Sequence, residues 1–188
     1  MTPKDTRQTI LDTARAMVQA KGYNALSFRE LAKDVGVKSA SIHYYFPTKG
    51  DLGAAVAQRY TQDAVGYFEK LAARGDDVET TFRAYADVFR AALRDDNRMC
   101  LYGIMAAEYG DLPAQVRVEV DRFSAANAEW LARLLARRHP DLDETALRDR
   151  ALATFAAIEG AQLVARGRGD IAVFDQMLAA YKAAGLTP

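Results

Sequence analysis

The sequence predicts an all-α protein, with a small three-helix head that carries a helix-turn-helix and a larger helical body, about nine helices in total. Three observations predict it. Apolar residues recur at three- and four-residue spacing along most of the 188 residues. Ala, Leu, Arg and Glu are abundant, and the five prolines stand at breaks in that periodicity or near the chain ends. The stretch 27–46 reads as two brief helices joined by a glycine turn, the shape that presents a recognition helix to the DNA major groove.

The elements follow in order. A first helix is expected over 5–21, with Ile10, Leu11, Ala14, Met17 and Val18 on one face and Gly22 at its end. Ser27 and Glu30 have the spacing of a capping box for the second helix, whose apolar stripe is Leu31, Ala32 and Val35 and whose stop is Gly36. In the third, Ile42 and Phe46 lie four residues apart and face inward, while Lys38, Ser39, Ser41, His43 and Tyr44 leave a face of hydrogen-bond donors. Pro47 ends that helix at Phe46, and Thr48 with Asp51 caps a fourth over 48–73. Helices over 77–94, 99–110, 113–138, 143–166 and 170–184 complete the body, with Asp77, Asp143 and Asp170 as caps. A functional division is expected at residue 50, with DNA binding in 1–50 and ligand binding and dimerisation in 51–188.

Roles in the head follow from side-chain chemistry. Lys38 and Lys49 suit backbone phosphate, as do the hydroxyls of Tyr44 and Tyr45, and such contacts set register. Tyr45 can also turn inward beside Phe46. Ser39, Ser41 and His43 are small or planar donors suited to base edges, and Arg29 suits either a guanine or a phosphate. The net charge is zero, yet residues 1–50 hold eight Lys/Arg against four Asp/Glu, leaving +4 in the head and −4 in the rest. A basic head on an acidic body fits a DNA reader with a separate regulatory part.

Ile42-His43-Tyr44-Tyr45-Phe46, followed by Lys49 and Leu52, resembles the DNA-binding domain of the TetR family of bacterial one-component regulators. Many members carry Tyr where His43 stands and His where Tyr45 stands, a departure that bears on operator preference. The resemblance implies a homodimer whose last two long helices pair with their copies as a four-helix bundle. It also implies double-stranded DNA with a palindromic operator as partner, and release by a small-molecule effector. Repression is the usual outcome in that family. Leu152, Phe155, Ala156, Ile158, Leu163 and Val164 give the eighth helix apolar residues on more than one face, and Ala156-Ala157 and Gly160-Ala161 allow close helix approach. A dimer would space two recognition helices about 34–36 Å apart, one DNA turn.

For an effector pocket the body offers Tyr67, Tyr85, Phe89, Cys100, Tyr102, Met105, Tyr109, Phe123, Trp130 and Phe155. Buried tyrosines need hydroxyl partners, so rings of this kind suggest an apolar cavity with a few polar groups. Arg98, Glu108 and Gln115 read as surface residues. Cys100 lies beside Arg98 at the expected start of the sixth helix, where a cation and a helix N-terminus would favour thiolate. The resemblance extends to a subgroup with a sensing cysteine there, released from DNA when an electrophile or oxidant modifies it. The alternative for Cys100 is a buried structural thiol.

Other classes are expected to be absent. No zinc-ligand spacing, phosphate loop or nucleophile motif occurs, and the two histidines do not converge, so no catalytic residue, metal or cofactor is expected. No apolar run is long enough for a membrane span, and no signal peptide is expected, since no uninterrupted apolar stretch follows Lys4 and Arg7. A lone cysteine fits a reducing cytoplasm. The competing function is a helical protein–protein adaptor without sequence-specific DNA binding.

Overall fold

The computed structural model describes residues 3–188, with side chains from residue 5. Its helices are α1 (Pro3–Lys21), α2 (Phe28–Val35), α3 (Ser39–Tyr45), α4 (Lys49–Ala73), α5 (Val78–Arg94), α6 (Leu101–Ala107), α7 (Ala114–Ala136), α8 (Glu144–Arg168) and α9 (Ile171–Ala183). A single 3-10 turn, Tyr109–Asp111, links α6 to α7, and no strand occurs among the described residues. The all-α expectation holds. The described residues pack as two compact units, one of residues 3–62 and 101–123, the other of 63–100 and 124–188.

The first unit is built on one apolar core. Ile10, Ala14 and Val18 of α1 meet Leu31 of α2, Ile42 of α3, Leu52 and Val56 of α4, Leu101 and Met105 of α6, and Val116 and Val120 of α7. A helix of seven residues such as α3 has no stability of its own in water, so this core is what holds it. Gly36 ends α2 in the left-handed conformation at φ 77°, as its position predicts. Thr48 and Asp51 form the expected capping box. The Asp51 carboxylate accepts from the Thr48 amide at 3.0 Å, and the Thr48 hydroxyl accepts from the Asp51 amide at 3.1 Å.

In the second unit α5 packs on α8 and α9, and α8 packs on α9. The three aspartate caps form as predicted: Asp77 accepts from the Thr80 amide, Asp143 from Ala146 and Asp170 from Ala172. Arg90 of α5 holds Asp175 of α9 through two hydrogen bonds of 2.7 and 2.9 Å, and Lys182 pairs with Glu79. Tyr85 is the hub of the interior, with ring centroids of Phe68, Phe82, Phe89 and Trp130 within 5.1–6.1 Å. Its hydroxyl donates to Asn127 Oδ1 at 3.0 Å, giving a buried polar group the partner it needs.

Three local expectations are corrected. Ser27 occupies the N-cap of α2 but makes no side-chain capping bond, and Glu30 turns instead to Arg29 at 3.4 Å. The sixth helix starts at Leu101 and ends at Ala107, its tail tightening into the 3-10 turn at Tyr109–Asp111. The eighth passes through Gly167 and stops at Gly169, where φ is 64°.

Candidate nucleic-acid interface and effector region

The two faces of α3 are sharply different. Ile42 is fully buried and Phe46 nearly so, whereas Lys38, Ser39, His43 and Tyr44 are exposed and Ser41 is half-buried. Tyr44 is 81% exposed, and its ring meets that of Tyr45 in a T-shaped contact at 5.1 Å. Tyr45 is half-buried against the core, so the inward alternative describes its ring. The His43 ring sets edge-on to Phe28 at 4.7 Å, with Nδ1 3.4 Å from the Pro47 carbonyl, and is thereby oriented. Arg29 extends from α2 with its side chain 89% exposed. The sequence-predicted donors of α2 and α3 thus share the surface of the first unit.

Lys49 is held by contacts within its own unit. It does not project freely: Nζ donates to the Asn24 carbonyl at 3.0 Å and sits 4.7 Å from the Tyr23 ring centre. Partial burial lowers its pKa from the ordinary lysine value, with the Glu108 charge opposing the shift.

Glu108, a surface residue by sequence, holds the turn between α1 and α2. Its carboxylate accepts from the Tyr23 amide at 2.6 Å and the Asn24 amide at 3.2 Å, while Asp111 accepts from Asn24 Nδ2 at 3.2 Å. Gly22 leaves the room for it: φ is +90°, and an added Cβ would lie 2.5 Å from Glu108 Oε1. The segment after α6 therefore pins the entry to the helix-turn-helix. Glu108→Ala is expected to cost about 1–3 kcal/mol, because it strips a charged acceptor from two backbone amides. The drop should appear as a lower urea midpoint at unchanged slope.

The ten residues expected to line a pocket divide between the units. Tyr67, Tyr85, Phe89, Cys100, Trp130 and Phe155 lie in the second, and Tyr102, Met105, Tyr109 and Phe123 in the first. Met105 is fully enclosed in the core of the first unit, where Tyr102 stacks on Phe123 at 5.6 Å. Tyr109 is at the surface and donates to Asp121 at 2.9 Å. Tyr67 donates to the Ala84 carbonyl at 3.1 Å. An open cleft of about 440 Å³ has Phe68, Thr81, Trp130 and Leu134 in its wall, and Trp130 is the one expected residue that lines it.

Cys100 is 2% exposed and immediately precedes α6. Gln162 of α8 clips it in place: Gln162 Oε1 accepts from the Cys100 amide and Nε2 donates to the Phe89 carbonyl, both at 2.8 Å. Arg98, expected to favour a thiolate, pairs with Asp95 at 2.7 Å. The ionisable group beside the thiol is the carboxyl of Glu159. Burial pushes its pKa up to about 7, with the Cys100 thiol pulling the other way. Among the described residues no group of three or more His, Cys, Asp or Glu is arranged to hold a metal, and no helix is long and apolar enough to cross a membrane.

The comparisons with known proteins meet this geometry. Residues 10–56, spanning α1 to the start of α4, match the model of bacterial regulatory proteins of the tetR family. A TetR-family regulator from Agrobacterium tumefaciens is 30% identical, with 94% of this chain and 95% of that chain aligned at a TM-score of 0.87. The chain belongs to the TetR family. A TetR regulator from Legionella pneumophila gives 28% identity and a TM-score of 0.89 over 95% of this chain and 96% of that one. The nicotine-responsive repressor HdnoR of Paenarthrobacter nicotinovorans is 25% identical over 146 residues, 72% of this chain and 75% of its own. Three further curated helix-turn-helix regulators align over only 75–80 residues, 28–38% of their own lengths. The family model thus matches the head, and the likeness to solved TetR-family structures covers 94–95% of the chain.

Proposed function

We propose that this TetR-family chain is a homodimeric, cytoplasmic repressor that binds a palindromic operator and is released when a small molecule enters residues 51–188. The observation that carries the reading is the two-faced α3, whose Ile42 and Phe46 anchor it while its polar face stays open. Lys38 and Tyr44 contact phosphate, Ser39, Ser41 and His43 address base edges, and Arg29 adds a contact from α2. Lys49 and Tyr45 reach phosphate after small rearrangements of their side chains. Dimerisation through α8 and α9 is supported by Leu152, Leu163 and Val164, which are 52%, 60% and 41% exposed on α8. That HdnoR is named for its response to nicotine supports a small organic effector.

Effector binding changes the balance between two dimer states, and its reach is set by its preference for one of them. Modification of Cys100 is a second route to release, supported by its position at the head of α6. A buried thiol must first be uncovered, so an alkylating agent is expected to react more slowly with the native protein than with the urea-unfolded chain, as mass spectrometry would measure. The test of the operator reading is Lys38→Ala. It should weaken binding across all sequences and flatten the slope of log affinity against log salt by about 1, as read by fluorescence anisotropy. An unchanged slope would remove Lys38 from the interface.

A further inference from the structure

The Glu159 carboxyl is a buried group that the packing leaves unanswered. Both of its oxygens are shielded from solvent and neither has a hydrogen-bond partner of ordinary geometry. Native interiors rarely tolerate this, because an unmatched polar group costs the full loss of its hydration. No arginine or lysine offsets it; the Cys100 thiol is the neighbour that relieves part of the burial. Tyr85 stands close enough to feel its charge, but the Tyr85 hydroxyl is already committed to Asn127. Gln162, one turn along α8, is likewise engaged at both ends, by the Cys100 amide and the Phe89 carbonyl. The surrounding polar groups are therefore paired with one another, and the acidic one is spare.

We propose that Glu159 is the anchor of an effector site for a small organic cation, a protonated amine, whose charge pairs with this carboxylate against the aromatic cluster centred on Tyr85. The chemistry is specific. An ammonium supplies the donors and the countercharge that Glu159 lacks, and such charge-assisted bonds are the stronger ones. Tyr85, close enough to feel the Glu159 charge, packs with Phe89 and Trp130 at centroid distances of 5.3 and 5.1 Å, and an aromatic ring offers a cation an attraction that no neutral ligand receives. A neutral alcohol or amide would gain hydrogen bonds but leave the carboxylate's charge uncompensated. The inference deepens the reading of residues 51–188 as the effector-binding part and rests on it.

Calorimetric titration of the full-length protein without DNA tests it, near neutral pH and in two buffers of different ionisation enthalpy. The probes are phenethylammonium and 3-phenylpropylammonium, with 3-phenylpropan-1-ol as the neutral counterpart. Both cations are expected to bind at least about tenfold more tightly than the alcohol, with release of a fraction of a proton as Glu159 ionises. Glu159→Gln, nearly isosteric, is expected to abolish the proton release and reduce cation affinity by about tenfold or more. Its melting temperature establishes that it is folded. Absence of binding by both cations at millimolar concentration, equal binding of the alcohol, or unchanged cation affinity in Glu159→Gln would each overturn the proposal. Because no DNA is present, a protein that binds the cations but ignores operator DNA would sustain this inference and refute the repressor reading; the reverse pattern would do the opposite.

Discussion

Ile42→Ala is expected to destabilise the first unit by about 2–5 kcal/mol and to abolish operator binding before the rest of the chain unfolds. The residue is fully enclosed, and it is the one buried side chain within α3. Truncating it leaves a cavity between α3 and a core drawn from α1, α2, α4, α6 and α7. With a total stability of about 5–15 kcal/mol for ordinary domains, such a loss is a large fraction. A seven-residue helix released from that contact cannot persist by itself, so the donors it presents lose their common orientation. Denaturant unfolding followed beside anisotropy on DNA measures both effects. If the variant melted with the wild type and still bound DNA, Ile42 would not be the anchor of α3.

Glu159→Gln is expected to stabilise the protein above neutral pH by up to roughly 3 kcal/mol while leaving it unchanged in mild acid. The folded-state pKa is raised from 4.5 to about 7, chiefly by burial, and each unit is worth about 1.4 kcal/mol. Below the unfolded value both states hold the proton, and the carboxyl makes no difference to stability. Between the two values the unfolded chain has lost its proton and the folded one keeps it, so wild-type stability falls as pH rises. Above about 7 both are ionised, and the cost of the buried anion is present in full. Glutamine carries no proton to lose. Groups with lowered pKa values, such as Asp175 beside Arg90 and Asp77 at its cap, are common to both proteins, so the difference curve isolates Glu159. Urea midpoints from pH 5 to 8 at fixed protein concentration would show the two curves diverging; parallel curves would mean that the carboxylate is not held in an uncompensated interior.

Local signals explain what was legible beforehand. The Thr48–Asp51 box, the Gly36 stop and the three aspartate caps depend on residues two to four apart, and they form as read. The identity of the helix-turn-helix rests on the same short-range pattern. Ser27 and Glu30 have capping-box spacing too, but Arg29 competes for the glutamate and the box does not close. Glu108 could not be read, because the amides it serves are 84 and 85 residues away. The Lys49 contact is illegible for a related reason: its acceptor, the Asn24 carbonyl, comes from a distant turn. For Glu159 a signal did exist. It is the lone acid in the run Phe155-Ala156-Ala157-Ile158-Glu159-Gly160-Ala161, where an isolated charge among apolar and small residues marks a position that folding buries at a cost.

The central claim is that the open face of α3 reads DNA in two copies. Selecting bound duplexes from a random-sequence library, with wild-type protein at moderate salt, tests it most directly. The prediction is enrichment of an inverted repeat whose half-sites are about one helical turn, ~34–36 Å, apart, with affinity that falls steeply as salt rises. Recovery of no preferred sequence, with binding that is absent or indifferent to salt, would contradict it and leave the helical adaptor as the better description.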